Sequence, residues 1–331
     1  MNRPSEERNI SRDQWRAHRR RRFRRHGRRA YIRSAYSLPS LATLGNAICG
    51  FGAMYVTGLA FVEVNTLHDE LTRWFARNSF VVAAYLIFLA MVFDALDGRL
   101  ARFTRHTTDF GGQLDSLADA ISFGAAPAFL ALQLFRFMDA RFESAVPVIV
   151  SRLIWAIGAL YASCALIRLA RFNVSNEHGE QHHFSFLGLP SPGAGGTVAA
   201  FVLMQQDLFH RAHYYDRINY PRLAAFCDTA ALVCTWLLPV IVLTTGLLMV
   251  SAIRYPHLVN KYARGKKSFW NLLAMLSALL AVIVAHKYVL ALGTLTYVFW
   301  SLLIAAYLRF RPKRPPSTPH ALEPVPVTPN P

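Results

Sequence analysis

The chain has 331 residues, of which 53% are hydrophobic and 17% are charged. The hydrophobic residues fall into about eight runs of 15 to 25 residues, several of them almost free of charge. Runs near 20 residues match the roughly 30 Å hydrocarbon core of a bilayer at about 1.5 Å of helix per residue. The pattern excludes a water-soluble two-domain enzyme and a disordered chain, which would be poor in hydrophobic residues. It predicts an all-α protein, a polytopic transmembrane helical bundle.

The chain is strongly basic, with 36 Lys and Arg against 19 Asp and Glu and a net charge of +17. In a soluble protein this charge would suggest nucleic-acid binding. In a membrane protein it is better explained by basic residues retained on the cytoplasmic side, so we expect no nucleic-acid partner. The four cysteines lie inside apolar runs without metal-ligand spacing, which favours buried apolar residues over disulfides or a zinc site.

The two ends of the chain differ from the apolar middle. Residues 1–37 contain thirteen arginines and are predicted to form a basic cytoplasmic tail, since they lack the features of a secretory signal. This tail either fixes the orientation of the protein as a solvated segment or contacts anionic lipid headgroups. Residues 311–331 are rich in proline and are predicted to be disordered.

Eight membrane spans are predicted between the two tails, at 41–62, 79–97, 116–137, 148–170, 192–208, 226–251, 269–286 and 288–308. The span at 192–208 is the weakest, because it is short and begins with three glycines. With a cytoplasmic N-terminus, the cytoplasmic segments hold 27 Lys and Arg and the external segments hold 8. This asymmetry predicts that both termini are cytoplasmic.

Four aspartates stand where the second predicted span ends and the third begins. Asp94 and Asp97 are three residues apart, and Asp115 and Asp119 are four apart, so each pair lies on one face of its helix. Because the link at 98–114 is short, the two helices are expected to be antiparallel neighbours with both pairs facing one spot. An ionised carboxylate near hydrocarbon needs a partner. The alternative is that the aspartates are merely solvated at helix ends.

Four facing carboxylates would repel one another unless cations lie between them. Mg²⁺ or Mn²⁺, which prefer oxygen ligands, are the natural counter-charge. The residues between the pairs are small or suited to phosphate: Gly98, Ala101, Arg102, Thr108, Gly111 and Gly112. Glycine and alanine allow a bulky group to approach the backbone, and arginine can bind phosphate oxygens in a two-pronged contact. The sequence therefore predicts a site for a metal-bound pyrophosphate at the cytoplasmic interface.

This stretch also carries a resemblance to a known family. The signature is Asp94-x2-Asp97-Gly98-x2-Ala101-Arg102-x8-Gly111-x3-Asp115-x3-Asp119. Its eight fixed residues resemble the signature of the CDP-alcohol phosphatidyltransferases. The segments at 38–51, 114–128, 167–174 and 186–194 are similar to one branch, the integral-membrane CDP-diacylglycerol–serine O-phosphatidyltransferases. Ser40 departs from that branch, which usually has Asn at this position.

The resemblance implies a six-helix core over 38–255, with two additional transmembrane helices in 256–310. It implies transfer of the phosphatidyl group from CDP-diacylglycerol to the hydroxyl of L-serine, giving phosphatidylserine and CMP. Asp94, Asp97 and Asp115 are implied as the main metal ligands. Asp119 is implied as the general base, although coupled carboxylates leave its part as a further ligand open. Gly98, Arg102 and Thr108 would contact the CDP group.

The resemblance also bears on location and partners. It implies a homodimer, and we expect a protein of the bacterial inner membrane whose active site is cytoplasmic. Arg168, Arg171 and Asn173 end the fourth span near the proposed site. They either bind the carboxylate and amine of serine or are ordinary basic anchors at a helix end.

Two alternatives to serine transfer stay open at the level of sequence. One is the same chemistry with another acceptor, such as glycerol phosphate or an inositol, because the signature binds the shared CDP half. The other is an ion-coupled transporter with an acidic site. Transporter sites more often lie near the membrane midplane at breaks in spanning helices.

Overall fold

The computed structural model describes residues 41–104, 109–141, 146–177, 188–217, 220–251, 285–300 and 302–303. The described residues are almost entirely helical, and they contain no strand. The predicted basic tail at 1–37, the Pro-rich tail at 311–331 and most of the seventh predicted span lie outside the described residues.

The described helices have the following order along the chain. Helix α1 covers 41–58 and continues as a 3-10 turn over Leu59–Phe61, and a second 3-10 turn covers Val64–Thr66. The following helices are α2 (Glu70–Arg77), α3 (Ser79–Thr104), α4 (Asp109–Asp119), α5 (Ala126–Arg141), α6 (Val148–Glu177), α7 (Ser191–Arg217) and α8 (Pro221–Val250). A π-helical segment, Ala120–Ala125, joins α4 to α5. Helix α9 covers 285–300.

Within the described part of the chain, five helical stretches are long and apolar enough to cross a membrane. They are Leu41–Phe61, Ser79–Leu100, Phe110–Arg141, Val148–Val174 and Pro221–Val250. Large apolar side chains such as Ile48, Trp155 and Phe226 are exposed on them, as expected for surfaces that face lipid. The protein is an integral membrane protein of the helical polytopic type, and the predicted fold class is confirmed.

Helix α7 contains the weakest predicted span, and it is longer than the prediction of 192–208. It contacts α3, α5 and α8, and residues 198–203 are almost fully buried among them. It is not among the five most apolar stretches, because it carries polar residues such as Gln205. The Gln205 Nε2 donates to Thr235 Oγ1 of α8 at 3.1 Å. Polar groups are tolerated here because the surrounding protein satisfies them.

Helix α2 was not predicted, and it occupies the connection between the first two spans. Asp69 is its N-cap and accepts a hydrogen bond from the backbone N–H of Thr72 at 2.9 Å. This bond and a second one from the Thr72 hydroxyl hold the pKa of the exposed Asp69 carboxyl below its usual range. This short capped helix was not predicted because it lacks the long apolar run that identifies the membrane spans.

The start of α7 is fixed by its contact with the end of α8. Gly188 has a φ of +88°, which favours glycine, and an added Cβ would lie 2.4 Å from the carbonyl oxygen of Met249. The next residue, Leu189, donates its N–H to the carbonyl of Leu248 at 3.0 Å. These contacts set the position of Ser191, the first residue of α7.

Candidate active site

The site lies where α3 and α4 meet. The chain reverses between Thr104 and Asp109, and α3 contacts both the π segment and α5. The connection is therefore shorter than the predicted link at 98–114, because both helices continue towards each other. The reversal brings the aspartates of the two helices together, as the sequence predicts.

Three of the four aspartates form one cluster, which we call the aspartate trio: Asp94, Asp115 and Asp119. One carboxylate oxygen from each lies within 4.8 Å of the others. This separation suits oxygen ligands around a single divalent cation. Asp97 is buried beside the trio and accepts a hydrogen bond from the hydroxyl of Thr43 in α1. The trio therefore includes the predicted general base Asp119, whereas Asp97 is held by a neighbouring helix.

Asp119 is held from α1 as well. Its Oδ1 accepts a hydrogen bond from Asn46 Nδ2 at 2.9 Å, and its exposed fraction is 8%. The backbone carbonyl of Asn46 in turn accepts a hydrogen bond from Ser122 Oγ at 2.8 Å. Asn46 thus ties the last residue of α4 to the π segment that follows it.

Gly50 allows α1 to approach the π segment closely. A Cβ added at Gly50 would lie 2.4 Å from Ser122 Oγ and 2.7 Å from Ser122 Cα, so only glycine fits at this crossing. The backbone carbonyl of Phe123 accepts a hydrogen bond from the hydroxyl of Tyr161 in α6 at 3.0 Å. π-Helical turns occur frequently at functional sites, where they change the direction of neighbouring side chains.

Arg168 supplies positive charge at the trio. This partly buried arginine of α6 interacts electrostatically with Asp119 and Asp94. Its Nη1 also donates a hydrogen bond to Ser191 Oγ at the start of α7. One guanidinium cannot balance four carboxylates, so among the described side chains a negative charge remains that a further cation can neutralise.

The other two residues predicted on the fourth span are placed differently. Arg171 is exposed, one turn from Arg168. Asn173 uses both ends of its amide within the protein. Its Oδ1 accepts a hydrogen bond from Ser116 Oγ at 3.0 Å, and its Nδ2 donates to Gln113 Oε1 at 3.4 Å. Asn173 therefore joins α6 to α4.

Few of the residues predicted to contact the CDP group belong to the described part of the chain. No described heavy atom other than local backbone lies within 4 Å of a Cβ built at Gly98 or at Gly112, so both glycines border open space. Ala101 and Arg102 belong to the last turn of α3, but their side chains lie outside the described residues. Thr108 lies outside them entirely.

Sequence reasoning did not identify Thr43 and Asn46 as site residues. They are three residues apart in α1, so they share one face, and both are buried. A signal was present, because polar residues inside a membrane span mark functional sites by default. Ser191, the partner of Arg168, was missed because nothing in the local sequence indicates which helix end meets α6.

Comparisons with known proteins identify the family of this chain. Residues 36–220, more than half of the chain, match the family model described as CDP-alcohol phosphatidyltransferase. The chain belongs to the CDP-alcohol phosphatidyltransferase family. The matched range contains the four aspartates, Asn46 and Arg168, and it ends before α8 begins at Pro221.

Several relatives within this family carry names that specify an acceptor. A CDP-diacylglycerol–serine O-phosphatidyltransferase of Helicobacter pylori is 33% identical over 193 residues, which cover 58% of this chain and 65% of the relative. One of Methanocaldococcus jannaschii is 33% identical over 177 residues, which cover 53% and 64%. An archaetidylserine synthase of Methanothermobacter thermautotrophicus is 30% identical over 228 residues, which cover 68% and 72%. The alignment spans slightly less than two thirds of the first two relatives.

Proposed function

We propose that this protein transfers the phosphatidyl group of CDP-diacylglycerol to the hydroxyl of L-serine, giving phosphatidylserine and CMP. The observation that carries the proposal is the aspartate trio, formed by the family signature and bordered by open space at Gly98 and Gly112. The names of the relatives support serine as the acceptor.

The donor set fits a hard divalent cation, because the trio offers three carboxylate oxygens close together. Asp94 and Asp115 would hold Mg²⁺ or Mn²⁺, with Asp97 and Asp119 beside them. The ion would neutralise negative charge on the pyrophosphate and on the departing CMP. Thr43 and Asn46 orient Asp97 and Asp119 from α1, which keeps these carboxylates in place before substrate arrives.

The acceptor step requires a group that removes a proton. As the serine oxygen forms its bond to the phosphorus nearest the diacylglycerol, the bond from that phosphorus to CMP breaks and the hydroxyl proton passes to Asp119. Asp119 suits this role because it is nearly buried and its Oδ1 is held by Asn46. Arg168 lies beside Asp119 and can bind the serine carboxylate with its planar guanidinium.

The test is CMP release by the purified protein from CDP-diacylglycerol in the presence of L-serine, glycerol phosphate or inositol. The proposal expects release with serine that requires Mg²⁺ or Mn²⁺ and stops with a chelator. Preference for glycerol phosphate or inositol would contradict the choice of acceptor and retain the family chemistry. Absence of CMP release with all acceptors would contradict the proposed activity and favour an ion-coupled transporter.

The proposal extends to the setting of the enzyme. We place the trio at the cytoplasmic face of a bacterial inner membrane, where a soluble nucleotide and serine can enter from water and the lipid from the bilayer. The excess of Lys and Arg in the predicted cytoplasmic segments supports this orientation. A homodimer and contact of the basic tail with anionic headgroups belong to the same proposal, and cross-linking in membranes and vesicle binding test them.

A further inference from the structure

Asn46 is a fully buried side chain of which only one end has a partner. Its Nδ2 donates to Asp119, but its Oδ1 has no hydrogen-bond partner among the described residues, although it is shielded from solvent. Buried polar atoms in folded proteins are normally paired, so an unpaired one requires an explanation. The NH2 end of the amide faces Asp119, since the oxygens of an ionised carboxylate accept hydrogen bonds and cannot donate them.

The unpaired oxygen lies close to the reacting centre. Amide bond lengths and the 2.9 Å bond to Asp119 place Asn46 Oδ1 within about 5.5 Å of the Asp119 carboxylate oxygen. A ligand whose hydroxyl contacts Asp119 is long enough to place a second donor on Asn46 Oδ1, provided that the side chains shielding this oxygen move when the ligand binds. An amide oxygen accepts hydrogen bonds and cannot donate, so the missing partner must be a donor or a cation.

We propose that Asn46 recognises the ammonium group of the acceptor: its Nδ2 positions Asp119, and its Oδ1 accepts a hydrogen bond from the amine. The inference rests on the proposed function, and it adds a specificity-determining residue to it. In serine the amine and the hydroxyl are on adjacent carbons, so one small molecule can reach both Asp119 and Asn46. Glycerol phosphate and inositol have no amine for this position.

The other candidate for the amine is Asn173, and its contacts favour Asn46 instead. Asn173 accepts from Ser116 and donates to Gln113, so both ends of its amide already hold α6 against α4. Arg168 would then bind the carboxylate of serine, and Asn46 would bind its amine.

The first measurement uses the unmodified full-length protein in detergent or vesicles, with CDP-diacylglycerol and a divalent cation. The kcat/KM for L-serine is compared with that for 3-hydroxypropionate, which keeps the hydroxyl and the carboxylate but lacks the amine. A hydrogen bond to a charged group corresponds to about 10- to 150-fold in affinity, so we expect a preference for serine of at least this size. Equal use of the two acceptors would overturn the proposal.

The second measurement separates Asn46 from the general attraction of an ammonium to the aspartates. Asn46→Leu removes both ends of the amide, so the rate should fall with both acceptors and the preference for serine should shrink by about 10-fold or more. Asn46→Asp keeps an acceptor oxygen but loses the donor to Asp119, so the rate should fall while the preference is retained. Thr57→Val is the control, since Thr57 is a buried residue of the same helix whose hydroxyl donates to the carbonyl of Ala53, one turn earlier. It should keep both the rate and the preference.

The possible results lead to different conclusions. An unchanged preference in Asn46→Leu, with a lower rate for both acceptors, would show that Asn46 acts only through Asp119 and would overturn the recognition of the amine. Asn46→Leu could instead need a higher concentration of the divalent cation while its preference for serine is unchanged. That result would assign Oδ1 to the metal and would also overturn the recognition of the amine. If Asn46→Leu does not fold, the Asn46→Asp variant and the acceptor comparison on the unmodified protein decide. Failure of the unmodified protein to use serine contradicts the proposed function itself.

Discussion

Two carboxylate sites lie near different parts of α7, and their negative charges are balanced in opposite ways. Asp207 accepts hydrogen bonds from Lys287 Nζ at 2.7 Å, Tyr288 Oη at 2.8 Å and Arg211 Nε at 2.6 Å. The aspartate trio lies near the other end of α7, where Ser191 meets Arg168. Sixteen residues separate Ser191 from Asp207, which corresponds to about 24 Å of helix.

The comparison distinguishes a structural carboxylate from a functional one. Two cations and a hydroxyl surround Asp207, so its charge is neutralised by the protein alone. The trio and Asp97 bring four carboxylates together, and Arg168 interacts with two of them, Asp94 and Asp119. Among the described side chains, negative charge is therefore left for a ligand to neutralise. A buried charge without an opposite charge beside it lowers the stability of the fold. Such charges are retained mainly at sites where they bind a ligand.

The Asp207 site also explains how α9 is attached. Lys287 and Tyr288 belong to α9, which lies beyond the residues matched by the family, and both bind Asp207 of α7. His286 adds a 2.6 Å hydrogen bond between its Nε2 and the hydroxyl of Tyr85 in α3. Polar contacts therefore hold the additional helix against the family core.

The largest effect should come from removing a member of the trio. We expect Asp115→Asn to reduce CMP release to background while the protein still inserts and folds, because one ligand charge is lost from the metal site. Asp94→Asn should behave in the same way, and so should Asp97→Asn, because the Asp97 carboxylate lies beside the trio. Asp69→Asn is the matched control, since asparagine caps a helix as well as aspartate does, and its turnover should be unchanged. Residual turnover above a few per cent in Asp115→Asn would show that the trio is not the metal site.

The next effect separates a base from a ligand within the trio. If Asp119 removes the acceptor proton, Asp119→Asn should lower kcat by roughly 10²- to 10⁴-fold, the usual contribution of a general base. The affinity for CDP-diacylglycerol should change little, which equilibrium binding to the purified protein measures. An affinity loss as large as that of Asp97→Asn would assign Asp119 chiefly to the metal.

A smaller effect is expected at Arg168, where the trio meets its neighbouring cation. Arg168→Gln should raise the KM for serine by about 10- to 150-fold, since a charge-assisted bond to the carboxylate is lost. Ethanolamine, which lacks the carboxylate, should be a poor acceptor for the unmodified protein. The exposed Arg171 provides the comparison, and Arg171→Gln should change the KM by less than about twofold. Equal effects of the two substitutions would show that both arginines are helix-end anchors.

The smallest effect on activity should come from Asp207, whose charge is neutralised by neighbouring side chains. Asp207→Asn removes the charge that pairs with Lys287 and Arg211, so we expect a loss of about 1–3 kcal/mol in the free energy of unfolding. CMP release at low temperature should stay within about twofold of the unmodified protein. Thermal unfolding in detergent, followed together with turnover, measures both quantities. A strong loss of turnover without a loss of stability would contradict the division between the two carboxylate sites.

The sequence alone determined the membrane class, most of the helices and the family. Runs of about 20 apolar residues can satisfy their backbone in lipid only as helices, so length and composition were sufficient. The spacing of Asp94 with Asp97 and of Asp115 with Asp119 placed each pair on one helix face, and a short link brought the faces together. These inferences depend on local periodicity, which the sequence displays directly.

Tertiary structure decided which side chains complete the site. Thr43 and Asn46 reach Asp97 and Asp119 across 54 and 73 residues of sequence, and Arg168 reaches Ser191 from another helix. The π segment after Asp119 and the glycine contact at Gly50 set the helix crossing that brings Asn46 to Ser122. Likewise α7 is the weakest span by composition but lies among α3, α5 and α8, since burial by protein replaces burial by lipid. Contacts of this kind depend on how helices cross, and the crossing is set by packing between segments distant in sequence.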